Sequence, residues 1–444
     1  MAHGFVTSDK VKVSELESTA ATSGLLPIPI SNRKETMTVA AAQCCIAGGG
    51  PAGMMLGALL ARAGASVVVI EKHADFLRDF RGDTLHPSTL EVMAELGWLD
   101  DLLRLPHDRA PVIEAQIGDD RIRVADFSRL PVRCPFLAFM PQWDFLNFVA
   151  ERAAAYPGFA LRLRTEVTDL IEDGGRIIGV RANAPEGALE LRADLVVGAD
   201  GRHSVVRAKA GLVVEEMGAP MDVLWFRLPH RGGDPVNTMG RAEAGRILIL
   251  INRGDYWQCG YVIPKGSYDR LRTAGIPAFR AEIARMLPFA AGRMDEIAGW
   301  DDVALLTVAV DRLARWYRPG LLCIGDAAHA MSPVAGVGIN LAIQDAVAAA
   351  NLLAAPLRER RLQTEDLAAV QARRELATRL TQRMQVAAQR RIIGNVLAST
   401  GPLRAPLPVR VLSRTPFLQR LVGRMVGIGA RPEHVRIAPV APIG

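Results

Sequence analysis

Short, uninterrupted apolar runs recur along the chain, each ending at glycine or at an acid. QCCIA (43–47) and SVVVIE (66–71) are the first two. Runs of this length without polar alternation predict strands buried on both faces, as in a parallel sheet. The small-residue stretch between them, PAGMMLGALLARAG, predicts a helix over about 51–64. DLVVGAD (194–200) and LLCIGDA (321–327) repeat the strand-into-turn pattern. The second of these leads into a long apolar helix, INLAIQDAVAAANLLAAPL.

Between these runs, residues 218–310 change character. MDVLWFRLPHR, GRILILINRG and DYWQCGYVIPKG are β-rich and separated by Gly, Pro, Asn and Asp, which predicts an antiparallel sheet. Residues 113–137 are expected to add strands to it. Period-two alternation puts Trp257, Cys259 and Tyr261 on one face of their strand, with Tyr256 and Gln258 on the other. Trp225 and Arg227 share a face of theirs. One such face looks at a ligand, and alternation does not choose which.

The first turn carries chemistry. Its glycines are spaced Gly48-x-Gly50-x-x-Gly53, with Pro51 and Ala52 opening the helix. Gly48 permits the tight turn, Gly50 lets backbone approach a pyrophosphate, and Gly53 allows close helix–strand packing. The helix N-terminus adds free N–H groups and a partial positive charge. Glu71 ends the second strand, where a carboxylate accepts hydrogen bonds from an adenosine ribose. Strand, glycine loop, helix and acid together point to a dinucleotide of the NAD or FAD type. In the later turns, Asp200 beside Gly201 and Asp326 beside Gly325 are placed to bond sugar or ribityl hydroxyls. The helix start near Gly338–Asn340 can stabilise negative charge.

Composition narrows the class. The chain has 444 residues, 50% hydrophobic and 23% charged, as a globular protein does. No run of 18 apolar residues predicts a membrane span, and the start lacks the features of a secretory signal. Residues 1–37 read as a disordered extension, with Met37 a candidate start. Five cysteines, Cys44, Cys45, Cys134, Cys259 and Cys323, form no CxxC pair and read as reduced thiols of a cytoplasmic protein. The histidines are scattered without metal-ligand spacing, and there is no GxSxG. Net charge is +6, with thirteen arginines from Arg373 to Arg436 against Glu375 and Glu433. That segment reads as a solvated helical tail, membrane-surface or partner docking being the alternative. Few aromatics lie between the arginines, which argues against nucleic acid.

Three linked motifs, GGGPAG, GADGRHSVVR and IGDAAHAMSPVAGVGINLAIQDA, give the chain its family look. In order and separation they resemble those of the single-component (class A) FAD-dependent aromatic monooxygenases, such as para-hydroxybenzoate hydroxylase and the ubiquinone-biosynthesis hydroxylases. The resemblance covers roughly residues 38–350. It implies an α/β fold: a discontinuous Rossmann-like FAD-binding domain of the GR2 type over 38–112, 138–217 and 311–355. A mainly antiparallel substrate domain over 113–137 and 218–310 would be inserted into it, with C-terminal helices in 356–444. Many polyketide hydroxylases of the family carry a further thioredoxin-like domain. Its absence here sets this chain nearer the compact hydroxylases and away from antibiotic tailoring.

The resemblance also implies roles. Gly48, Gly50, Pro51, Ala52, Gly53 and Glu71 would hold the ADP half of FAD, and Gly325 and Asp326 the pyrophosphate or ribityl region. Pro333, Gly336, Gly338, Ile339 and Asn340 would line the isoalloxazine. Arg81 and Gln142 align with flavin-side residues, and Asp200, Gly201 and Arg207 with a motif tied to both FAD and NAD(P)H. NADPH or NADH would dock transiently, since no second glycine-loop unit exists. The implied reaction is hydroxylation of a phenolic or related hydrophobic small molecule by O₂ through a flavin C4a-hydroperoxide. It requires no protein nucleophile, so no catalytic side chain is assigned; Pro333, Trp225, Arg227 and Trp257 are candidates to shape the reacting region. His86 and His329 are the acid–base candidates, His329 with a structural role preferred. The alternative is a flavin-dependent reductase or dehydrogenase acting on an isoprenoid or lipid.

Overall fold

The computed structural model describes residues 38–77, 84–235 and 238–440. Arg81 and the extension 1–37 lie outside the described residues. Five strands run parallel in the order Leu321–Cys323, Gly187–Gly198, Thr38–Ala47, Val67–Ile70, Phe159–Arg162. Tyr317–Arg318 pairs antiparallel at one edge, and Glu166–Asp173 and Arg176–Ala184 extend from Gly187–Gly198 as antiparallel strands. Cys44, Cys45, Ile46, Val69, Val196 and Val197 are fully buried, as unalternated strands covered on both sides must be.

Two helices supply much of that cover. Pro51–Arg62 is buried from Ala52 to Ala61, and Val337–Arg358 packs directly upon it. The segment Val334–Arg358 is long and apolar enough to cross a membrane, yet 83% of its apolar window is buried inside the protein. Its hydrophobicity serves the core.

A second sheet runs in the order Ala304–Leu306, Met221–Pro229, Tyr256–Pro264, Arg246–Asn252, Met239–Glu243, Val112–Ile117, Asp120–Asp126. Every pairing is antiparallel except Met239–Glu243 with Val112–Ile117. Leu137–Phe139 instead joins Thr84–Leu85 and Asp108–Ala110 in a three-stranded sheet. One face of the large sheet packs on the helices Tyr268–Ala274 and Ile276–Met286 and the 3₁₀ turns of Pro288–Glu296, burying Leu224, Phe226, Trp257, Cys259 and Tyr261. The opposite face presents Val223, Trp225, Ile251 and Val262 to Phe139, Val334, Ile393 and Leu397.

The rest of the chain straps the two sheets together. Helix Thr364–Ala388 lies along Val337–Arg358 and passes through a π-helical turn at Gln389–Ile393. Helices Leu407–Arg414 and Pro416–Gly427 cover the edge strand Asp120–Asp126. Covering removes an unpaired strand edge from solvent. Gly423 is required there, because a Cβ on it would lie 2.2 Å from the Asp126 carbonyl oxygen.

Candidate functional site

The glycine loop divides its work as its spacing predicts. Gly48 has φ +107°, and a Cβ on it would sit 2.3 Å from the Ala199 carbonyl oxygen. A Cβ on Gly53 would sit 2.0 Å from the Gly48 oxygen, so only glycine lets helix and strand meet this closely. Gly50 is different: a Cβ there meets nothing within 4 Å. It caps helix Pro51–Arg62 without a side-chain bond, leaving free N–H groups beneath open space. That is a cradle shaped for a pyrophosphate.

Glu71 is 8% exposed and holds the loop. Its Oε2 accepts from the Gly49 N–H at 2.9 Å and its Oε1 from the His73 N–H at 3.0 Å.

The motif at Asp200 and Gly201 abuts this loop, since the Asp200 Cα would lie 2.8 Å from a Gly48 Cβ. Asp200 Oδ2 accepts from the Val206 N–H at 3.1 Å, while Oδ1 is buried with no hydrogen-bond partner. Burial raises its pKa, against the hydrogen bonds from Ser204 and Val206. An orphaned buried acceptor is a costly thing to keep, and a ligand hydroxyl would satisfy it. Arg207 serves structure: its guanidinium meets Asp311 at 3.4 Å and donates to the Arg202 carbonyl. Arg202, which sequence reasoning passed over, reaches Asp326 at 3.3 Å and the Thr307 carbonyl at 3.2 Å. The resemblance drew attention to Arg207; the only signal for Arg202 was its place directly after Gly201.

Gly325, with φ +58°, sits where a Cβ would come within 3.0 Å of Ala52. The third motif therefore rests on the start of the first helix. Its loop ends in two left-handed residues, Ala335 (φ +62°) and Gly336 (φ +61°), after Pro333. A Cβ on Gly336 would meet Thr84 at 2.9 Å. Asn340 clamps this turn: Nδ2 donates to the Thr84 and Gly336 carbonyls at 3.0 Å each. Its Oδ1 accepts from the His86 N–H at 2.8 Å and the Thr89 hydroxyl at 2.7 Å. The Asn340 amide is thus spent on protein, and the Ile339 side chain packs in the core. What Gly338 and Ile339 can offer a ligand is backbone N–H, free in the first turn of the helix. Gln142 opens the helix Gln142–Ala154, directly after Pro141.

Both acid–base candidates are built into the frame. His86 is fully buried, with Nδ1 2.8 Å from the Val426 carbonyl and Nε2 3.0 Å from that of Ala335. Burial lowers its pKa to about 4, although both carbonyls favour the protonated ring. His329 packs at a tilt on Trp316 and sets Nε2 2.6 Å from Asp345 Oδ2. Asp345 also accepts from Arg374 at 2.9 Å and from the Gly325 N–H at 3.1 Å. Burial pushes the Asp345 pKa up, but His329 and Arg374 outweigh it and hold the carboxylate below its usual range.

The two tryptophans part company. Trp225 lies on the face toward Val334, its ring over Gly260, where a Cβ would be 2.8 Å away. Trp257 turns the other way: it is 0% exposed, packed in the helix-covered core, with Nε1 donating to Asp234 at 2.9 Å. Its candidacy to shape the reacting region is corrected on that geometry. Arg227 is exposed, its guanidinium 4.9 Å from the Tyr256 ring.

A polar group on the Trp225 side went unnoticed in the sequence. Arg253 follows Ile247, Ile249 and Ile251 in period two and bonds Gln258 Oε1 at 3.0 Å. Asp108 and Asp144 both feel its charge, yet burial raises the pKa of each. Asp108 Oδ2 is buried without a hydrogen-bond partner.

A groove of about 430 Å³ lined by Gln43, Arg176, Arg192 and Arg360 lies at the N-terminal end of the parallel strands. Ligands of α/β sheets bind at the carboxyl ends, where all three motifs meet.

Comparison with known proteins places the chain in a family. A family model described as "FAD binding domain" matches residues 41–384. The chain is 36% identical over 397 residues to 6-methylpretetramide 4-monooxygenase of Streptomyces rimosus, covering 88% of this chain and 93% of that protein. It is 30% identical over 315 residues to the 12-dehydrotetracycline 5-monooxygenase/anhydrotetracycline 6-monooxygenase of the same species, covering 68% of this chain and 60% of that one. The crystal structure of p-nitrophenol 4-monooxygenase from Pseudomonas putida DLL-E4 superposes with a TM-score of 0.72 at 20% identity, covering 88% of this chain and 99% of that one. The 6-methylpretetramide enzyme is matched over nearly its whole length, so compactness does not set this chain apart from such relatives, correcting the expectation drawn from length. The chain belongs to the FAD-binding domain family, among its class A aromatic monooxygenases, and is a flavin-dependent monooxygenase.

Proposed function

We propose that this enzyme hydroxylates a fused-ring, phenolic aromatic molecule between the Trp225 face of the large sheet and the 333–336 loop. The observation that carries the reading is the meeting of Val334, beside Pro333, with Trp225, Ile251 and Val262 across one apolar interface. The names of the two Streptomyces relatives support a polycyclic substrate. One atom of O₂ enters the ring and the other leaves as water, with NADPH or NADH supplying two electrons.

FAD supplies the redox chemistry; the chain's residues bind and orient. Gly50 and the free N–H groups after it would hold the pyrophosphate, Glu71 the adenosine ribose, and Asp326 with Asp200 Oδ1 the polyol chain. The N–H groups of Gly338 and Ile339 would lie toward the flavin, where a helix N-terminus would stabilise negative charge. Trp225 and its apolar neighbours exclude water from the reacting position. Arg253 and Gln258 receive the phenolic oxygen at the polar end, a cation there favouring the phenolate.

Coenzyme oxidation and O₂ uptake in the presence of candidate polycyclic phenols test this. A product 16 mass units heavier, formed in step with coenzyme consumption, is the expected result. A product gaining two hydrogens without O₂ uptake would instead establish the reductase reading.

A further inference from the structure

The helices Leu407–Arg414 and Pro416–Gly427 have one sealed side and one bare side. The sealed side is fixed to the sheet edge: the Ser413 hydroxyl accepts from the Arg123 N–H at 3.1 Å, and Val422 and Val426 pack on the Phe127 cluster. Gln419, Gly423 and Gly427 are buried there. The bare side carries Leu407 and Phe417, each 72% exposed, with Val411 at 47% and Leu421 at 46%. They fall at i and i+4 within each helix, which places each pair on one face. Only Thr415 separates the two helices, and both pack on the strand Asp120–Asp126, so both pairs lie on the side away from it.

The exposed charges that this segment itself carries have one sign, while the neighbouring hairpin adds Asp119 and Asp120 at its start. Arg404, Arg410, Arg414 and Arg424 are exposed, and among the described residues none of them forms an ion pair. The sequence has no Asp or Glu between Glu375 and Glu433. Phe, Leu and Val projecting to solvent amid unneutralised arginines is the composition of an interfacial element, in which side chains enter the acyl boundary while cations meet phosphates. A two-fold contact between copies of this chain would bring the same arginines together and be opposed by their repulsion.

We propose that this outward face docks the enzyme on an anionic phospholipid bilayer. Charge complementarity selects the anionic lipid, and side chains that project rather than enclose a groove favour a bilayer over a folded partner. The lipid-facing helix is also the one whose Val426 carbonyl faces His86, which in turn faces Ala335 beside Pro333. The helix that carries the docked face therefore lies one side chain, His86, from the 333–336 loop.

Sedimentation of the FAD-loaded full chain with vesicles tests the proposal. Phosphatidylglycerol–phosphatidylcholine vesicles should pellet the protein, and phosphatidylcholine vesicles alone should not. The double variant Leu407→Ser/Phe417→Ser and the triple variant Arg410→Gln/Arg414→Gln/Arg424→Gln should each weaken binding at least about tenfold. Raising salt to about 0.5 M should release the wild type. All substituted residues are exposed, and retained bound flavin and melting temperature confirm folding. No binding to anionic vesicles, or binding that both variants keep, overturns the proposal. So does self-association or capture of an acidic protein through this face in a chain that ignores vesicles.

Discussion

Trp225 and Trp257 stand on adjacent strands of one sheet, and both are nearly or wholly buried, yet they face different worlds. Against Trp257 the helices bring Phe279, Ile283 and Met286, filling that side as a closed core. Across from Trp225 stand the 333–336 loop, Phe139 and the π-helical turn, with Arg253 and Gln258 on the same face. Alternation assigns residues to a face; what packs against that face decides whether it is core or site. Both tryptophans sit among apolar neighbours, so alternation around them could not tell the faces apart; Arg227, Gln258 and Arg253 are what mark the Trp225 face.

The largest expected effect lies on the closed side. Trp257→Ala should cost about 3–5 kcal/mol of stability, read by denaturant unfolding, while FAD binding and substrate KM in the folded fraction stay near wild type. A stable variant with raised KM would reverse the assignment of the faces.

The Ala335 turn beside the Trp225 face is pinned by His86, which gives it a pH signature. Its folded pKa, lowered to about 4, lies below the unfolded value near 6.5. The unfolded chain therefore binds the proton first, and this contribution is fully present above about pH 6.5 and lost as pH falls from there to 4. The loss should reach about 3 kcal/mol across that window, and His86→Gln should remove the dependence. A wild type with stability flat from pH 6.5 to 4 would contradict the buried neutral ring.

The glycine loop sharpens the same distinction between groups that hold the protein and groups that face a ligand. Gly48→Ala forces a Cβ into the Ala199 carbonyl at φ +107° and should destabilise the apoprotein by about 1–3 kcal/mol. Gly50→Ala meets open space and should leave apoprotein stability within about 0.5 kcal/mol, yet weaken FAD about tenfold or more. Thermal melts and a flavin-fluorescence titration separate the two. Equal effects on the apoprotein would contradict the cradle at Gly50.

Much of the nucleotide side was legible because backbone geometry there admits one residue type. Glycine at 48 and 53 answers contacts that a Cβ would break, and such constraints leave a periodic trace in the sequence. The parallel strands were legible for a related reason, since burial on both faces removes polar alternation. The antiparallel sheet was legible in type, but which of its faces packs on helices was not. Arg202 and the Asp345–Arg374 pair escaped notice because each acts through a partner far away in sequence. Asp326 lies 124 residues from Arg202, and Arg374 lies 29 from Asp345. Asn340 shows the reverse case: its motif position suggested ligand contact, while its amide is spent on Thr84, His86, Thr89 and Gly336.

The most direct test of the substrate-side assignment is a flavin difference-spectrum titration. A polycyclic phenol that the wild type hydroxylates would be titrated into wild type, Trp225→Phe and Trp257→Phe. The account predicts that Trp225→Phe weakens binding about tenfold, an aromatic contact worth about 0.5–1.5 kcal/mol being altered. Trp257→Phe should leave the dissociation constant unchanged while lowering stability through the lost bond to Asp234. Weakened binding in Trp257→Phe with none in Trp225→Phe would contradict it.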